Sequence, residues 1–228
     1  MIKVHHLNNS RSQRILWMLE ELNKDYEIIF YERDFNTLQA PETLRKVHNL
    51  GKSPIISDNC SGEEIIIRES GAIIQYLLQT YGQKSSLMIP KYGTQLERDY
   101  LYWLHFSEGS LMPPLLLRLV FERIKKAKVP FFVKPIIKVV ANKVLSDFVN
   151  PNIQRILKFI EGSLEGKKWF LGEQLSGADI IMSFPLEASV TRGLVDKRYP
   201  NIKAYVERIH QQPAYQSALK KGGKYDYA

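Results

Sequence analysis

No second cysteine exists to pair with Cys60, the only one among 228 residues. That excludes an internal disulfide and any Cys-x-x-Cys redox or zinc pair, and it suits a reducing compartment, which makes the expected location cytoplasmic. No apolar run approaches the roughly 18 residues of a membrane span, because lysines interrupt the most hydrophobic region. The start, Met1-Ile2-Lys3-Val4-His5-His6, passes straight into a strand-like pattern without a signal-peptide layout. There is no internal repeat, no low-complexity tract, no metal-ligand cluster, and no motif or aromatic interleaving that points to nucleic acid.

What the chain does have is ordinary globular composition, 44% hydrophobic and 25% charged, with a net charge of +8. The excess is local. Arg118, Arg123, Lys125, Lys126, Lys128, Lys134, Lys138 and Lys143 face Glu122 alone. Such a region suits either peripheral contact with an anionic surface or the solvated face of a helix. Lys134, Lys138 and Asn142 recur every four residues, with Val133, Ile137, Val140 and Val144 interleaved, and this spacing favours the solvated face.

Periodicity predicts β-α-β-α-β-β-α in the first third. Ile2 to Leu7 reads as a buried strand. Asn8-Asn9-Ser10 carries helix-starting residues, and Ile15, Leu16, Leu19 and Leu22 keep helical spacing. A strand over 26–31 follows, then a polar stretch over 32–41 and a short helix over 42–48. Asn49-Leu50-Gly51-Lys52-Ser53-Pro54 precedes a strand over 55–57. Pro54 has no N–H and pushes Ser53 into an extended conformation, so Ser53 offers open backbone groups at a sheet mouth; its bond to Pro54 is a candidate for the cis form. An extended backbone of this kind can hold a small peptide by strand-like pairing. After a turn over 58–62 and a strand over 64–68, Glu69-Ser70-Gly71 opens a helix to Tyr81, with Gly82 as its C-cap. This is the element order of a thioredoxin-like domain over 1–82.

A polar linker covers 83–93, and helices alone are expected over 94–228. The first runs over 94–111, and Pro113-Pro114 must bend or break it. Another helix follows to Lys128; Pro130 and Pro135 then punctuate, and a further helix runs from there past Asn150-Pro151 to Leu164. Ser176 and Asp179 have capping-box spacing, and Pro200 and Pro213 open the last two helices.

A thioredoxin-like domain followed by an all-helical one resembles the cytosolic glutathione S-transferases. Four segments carry the resemblance: Ser10-Arg11 at the first helix start, Asn49 to Pro54, Glu69-Ser70-Gly71-Ala72-Ile73, and Ser176-Gly177-Ala178-Asp179-Ile180. The Asn-Ser-Arg start and Glu108-Gly109-Ser110-Leu111 before Pro113-Pro114 look closest to a fungal and bacterial branch. Leu50 and Ser53 stand where the family usually has proline and valine. Backbone pairing survives that change, while side-chain packing around it differs.

The resemblance implies glutathione as co-substrate, no permanently bound cofactor, a homodimer, and conjugation to a hydrophobic electrophile, with peroxidase activity possible on the same site. A glutathione-dependent disulfide reductase and a non-catalytic binding protein are the alternatives. A helix N-terminus and a hydroxyl can stabilise a thiolate. That makes Ser10 the catalytic candidate, or a plain N-cap, with Asn9 and Arg11 as alternative donors. The resemblance assigns Ser53 and Pro54 to the cysteinyl unit, Glu69 and Ser70 to the γ-glutamyl end, and Lys52 to the glycyl carboxylate or to the bare surface. Leu7, Tyr102, His105, Phe106, Glu108, Gly109 and Met112 are candidates for the electrophile pocket, or for core and dimer interface. Asp179 is assigned to structure, and Cys60 is incidental.

Overall fold

A computed structural model of the chain describes residues 1–34, 37, 39–60 and 62–228. The parts of the polar stretch and of the following turn that fall on Phe35, Asn36, Leu38 and Ser61 lie outside the described residues.

The strands are β1 (Ile2–Leu7), β2 (Tyr26–Tyr31), β3 (Ile55–Asp58) and β4 (Ile65–Arg68), in spatial order β2-β1-β3-β4. β1 and β2 are parallel, with Ile2 opposite Tyr26 and Leu7 opposite Tyr31; β3 runs antiparallel to both β1 and β4. The parallel pair requires a crossover, supplied by α1 (Gln13–Glu21). A 3-10 turn (Glu42–Lys46) precedes β3, and α2 (Ser70–Tyr81) follows β4. This is the thioredoxin-like order that the residue pattern predicts.

α1 is buried from Gln13 to Leu19 because it is covered on two sides. The sheet lies on one, and α7 (Gly177–Thr191) and α9 (Pro213–Gly222) lie on the other. Trp17 meets the Tyr215 ring edge-on at 5.4 Å, so the first helix is the common core of both halves of the chain.

The helical half differs from expectation at its prolines. The long helix predicted over 94–111 is α3 (Gln95–Phe106), a π-helical turn (Ser107–Leu111), then α4 (Met112–Ile124). Pro113 and Pro114 do not break the chain's course. They occupy the first turn of α4, where a missing N–H is harmless. The same device recurs as α5 (Lys134–Val144), a π-helical turn (Leu145–Val149) and α6 (Asn150–Ser163), with Pro151 in the first turn of α6. α8 (Pro200–His210) completes the set.

Gly82 ends α2, but in the right-handed region at φ −69°, leading into a 3-10 turn. Space, not left-handed backbone, asks for glycine: a Cβ there would lie 2.9 Å from Ile89 Cδ1. Gly177 has the same kind of reason, since a Cβ would lie 2.7 Å from Ile74 Cγ2 and 2.8 Å from the Tyr100 hydroxyl. At that point α2, α3 and α7 meet. Among the described residues no helix is long and apolar enough to cross a membrane.

Candidate active site

The site is built at one end of the sheet, where three chain segments converge. The first is the turn after β1. Helix α1 begins three residues later than Asn8-Asn9-Ser10 predicts, at Gln13, and its cap residue Ser12 makes no side-chain capping bond. The hydroxyls are used elsewhere. Ser12 Oγ donates to the Leu7 carbonyl at 3.2 Å and lies 2.9 Å from His6 Nδ1, tying the turn to the end of β1. Ser10 Oγ lies 2.8 Å from Ser12 Oγ and accepts from the Ser12 N–H at 3.2 Å. Ser10 is therefore buried and turned into the protein. Asn9 takes the left-handed conformation at φ 48°. Its Nδ2 donates to Asp226 Oδ2 at 2.7 Å, and its Oδ1 accepts from the Asp226 N–H at 2.9 Å. The C-terminal tail thus clamps the turn, and Tyr225 in turn donates to the buried Glu187 at 2.6 Å.

Arg11 is the residue of this turn that opens on the cleft. Its Nη1 lies 3.1 Å from Glu108 Oε2, and the buried Arg14 holds the other Glu108 oxygen. Arg14 Nη1 also donates to the Ile181 carbonyl at 2.5 Å. Burial pulls the Arg14 guanidinium below its ordinary range, and Glu108 opposes that shift. A cation in the first half of the chain is thereby positioned by the π-helical turn of the second.

The second segment is the loop before β3. The Ser53-Pro54 bond is cis. Ser53 Oγ donates to the His5 carbonyl at 3.1 Å, while among the described residues no hydrogen bond engages the Ser53 N–H or C=O. The third segment is the start of α2. Glu69 sits at φ 67°, a left-handed conformation that a non-glycine residue holds only where its surroundings over-determine it. Ser70 behind it is buried at the helix N-terminus, where backbone N–H groups favour an anion.

Arg11, Lys52, Ser53, Pro54, Glu69 and Ser70 all wall one open cleft. Leu50, which the sequence places in the loop before β3 without a ligand role, and His48 and Arg68, which sequence reasoning passed over, complete it. Arg68 directly precedes Glu69, and that adjacency to the Glu69-Ser70 motif is the sequence signal that points to it. The residues expected at the electrophile pocket do not line this cleft. Leu7 is buried at the end of β1. Tyr102 and Phe106 stack into an aromatic group with Trp103 and Phe159, their two rings 5.4 Å apart. His105 is exposed on α3 and Met112 packs against the core. Cys60 is free and exposed, with Sγ 3.4 Å from the Tyr76 hydroxyl and outside the cleft.

His6 gives the turn a pH dependence. Burial lowers its pKa to about 4. The folded chain therefore refuses a proton that the unfolded chain accepts below about 6.5, so stability is full above that pH and is lost as pH falls toward 4. The loss expected from this group is about 3 kcal/mol. Denaturant midpoints at neutral pH and near pH 4.5 check it. His6→Gln should flatten the difference, and an unchanged slope would assign it elsewhere.

Models of the glutathione S-transferase N-terminal and C-terminal domains match residues 1–79 and 121–213. Glutathione S-transferase 1 of Saccharomyces cerevisiae is 35% identical over 97% of this chain and 95% of its own. Glutathione S-transferase 3 of Schizosaccharomyces pombe is 37% identical over 97% and 88%. A crystal structure of a glutathione S-transferase from Actinobacillus pleuropneumoniae superposes with a TM-score of 0.79 at 36% identity, covering 100% of this chain and 95% of that one. With both domain models matched and relatives this similar along nearly the whole length, the chain belongs to the glutathione S-transferase family of enzymes.

Proposed function

We propose that this enzyme conjugates reduced glutathione to hydrophobic electrophiles, with glutathione as a co-substrate and no permanently bound cofactor. The observation that carries the reading is the convergence of Arg11, Ser53-Pro54 and Glu69-Ser70 on one cleft. In this reading the open Ser53 backbone pairs with the cysteinyl unit. Ser70 and the N–H groups at the start of α2 receive the γ-glutamyl carboxylate, and Glu69 takes its ammonium. Lys52 meets the glycyl carboxylate. The thiol then points to the turn after β1.

A thiol of ordinary pKa is mostly protonated at neutral pH, and the thiolate is the nucleophile. A nearby cation favours the thiolate. Arg11 is the charged group of the turn that opens on the cleft, so it takes the thiolate role in preference to Ser10, whose hydroxyl is occupied by Ser12. Asn9 is held by Asp226 and shapes the turn. A cytoplasmic location and a homodimer belong to the same reading. The unpaired Cys60 suits a reducing compartment, and the exposed side chains of Ile66, Tyr92 and Leu96 are ones a second copy could cover.

Retention on glutathione resin, followed by turnover assays with an aryl halide, a hydroperoxide and a mixed disulfide, tests the reading. Conjugation of the aryl halide is the expected dominant activity. Preferential turnover of the mixed disulfide would make the enzyme a reductase, and failure to bind the resin or turn over any substrate would end both. Ser10→Ala is expected to leave the pH–rate midpoint for the bound thiol within about 0.3 units, less than half a kcal/mol of differential stabilisation. A rise of a full unit would return the thiolate role to Ser10.

A further inference from the structure

The α4–α5 hairpin carries apolar side chains that the protein leaves in water. α5 does bury a stripe: Ala141 is buried, and Val133, Ile137 and Val144 are half-buried. Val140, expected on that stripe, is 56% exposed, and beside it Ile136 is 65% and Val139 67% exposed. At the turn between the helices Phe132 is 66% exposed and Phe131 86%. A side chain that bare at a hairpin turn protrudes; it does not wall a groove. Contiguous exposed apolar surface of this sort marks an interaction site.

The charge around it says of what kind. Lys126, Lys128, Lys134 and Lys138 are exposed on the same hairpin, and among the described residues none of them forms an ion pair. Lys125 and Lys143 do, with Glu122 and Asp147. A second copy laid on this face would set like charge against like charge. An anionic membrane surface answers both features. Lysines sit among lipid phosphates and carboxylates while aromatic and aliphatic side chains enter the acyl boundary.

We infer that the α4–α5 hairpin is a peripheral membrane-docking element, with Phe131 and Phe132 as the inserting tip and Lys126, Lys128, Lys134 and Lys138 as the contacts to anionic headgroups. None of these residues lines the glutathione cleft, so docking leaves the cleft open. It would hold the enzyme where hydrophobic electrophiles partition.

The test is flotation of the full-length protein with phosphatidylcholine vesicles, with and without about 30% phosphatidylserine, at physiological ionic strength. Partition at least about tenfold stronger into the anionic vesicles is expected. Phe131→Ala with Phe132→Ala should weaken it by about tenfold, and each Lys→Gln change by roughly fivefold. Turnover in solution should be unchanged in all of them. Absence of flotation with the anionic vesicles would overturn the inference. So would binding that survives the phenylalanine changes, which would leave charge alone at work. If those changes instead lower the mass seen by sedimentation and the wild type ignores vesicles, the hairpin is a self-interface and the inference is wrong.

Discussion

Arg11→Met is expected to lower kcat/KM for conjugation by about 10²- to 10³-fold, the loss seen when one preorganised group stabilising a reacting anion is removed. Arg11 opens on the cleft that Ser53 and Glu69 wall, and it is held in place from behind. Glu108 orients it at 3.1 Å, and the buried Arg14 fixes Glu108. Methionine keeps much of the stem's packing and removes the charge. The bound thiol's midpoint in the pH–rate profile should rise by one unit or more, since the thiolate loses its counter-charge. The turn is pinned by Ser12 and by Asp226, not by the guanidinium, so melting temperature should move little. A variant with wild-type kcat/KM and an unshifted profile would remove Arg11 from the chemistry.

Asp179→Ala should lower the melting temperature by about 10 °C, from a loss of about 3–5 kcal/mol. Asp179 is fully buried. Its carboxylate accepts from the Phe170 N–H at 2.9 Å, the Ser176 N–H at 2.9 Å, the Ser176 hydroxyl at 2.8 Å and the Tyr205 hydroxyl at 3.2 Å. Alanine leaves the Phe170 N–H, the Ser176 N–H and the Ser176 hydroxyl without their acceptor in a dry interior, while the Tyr205 hydroxyl keeps the Asp179 backbone carbonyl at 3.3 Å; each unpaired donor carries a desolvation penalty. Asp179→Asn, which keeps the shape and one acceptor oxygen, should fall between the two. Thermal unfolding followed by circular dichroism reads the result, and an alanine variant melting within about 2 °C of wild type would show that the cluster repacks or hydrates at little cost. Burial also pushes the Asp179 carboxyl up to about 6. Between its ordinary value and 6 the folded chain keeps a proton that the unfolded chain has released, so this group's contribution falls as pH rises, opposite in sign to His6.

Most of the elements and the motif set are legible in the residues alone. Strand and helix periodicity, the proline before Ile55-Ile56, and the Ser176–Asp179 spacing are local features, and local physics reads them. The capping box is present as the spacing predicts, with Ser176 Oγ accepting from the Ala178 N–H at 3.2 Å. The order of elements along the first domain stands on the same footing, whereas the cis form of Ser53-Pro54 is only a candidate in the residues, since trans is the majority state of an X-Pro bond, and the fold selects it. Tertiary structure alone decided which member of the Asn9-Ser10-Arg11 turn opens on the cleft. A hydroxyl at a predicted helix start can cap the helix, face a ligand or pair inward. Ser10 pairs inward because Ser12, brought beside it by the end of β1, offers a closer partner than the helix N–H groups. Likewise Glu108 reaches Arg11 across 97 positions of chain only because α1 packs on the helical half. The outward turn of Val140 is of the same kind. Helical spacing states which side chains share a face, and only the packing of α4 and α5 on their neighbours states which face meets water.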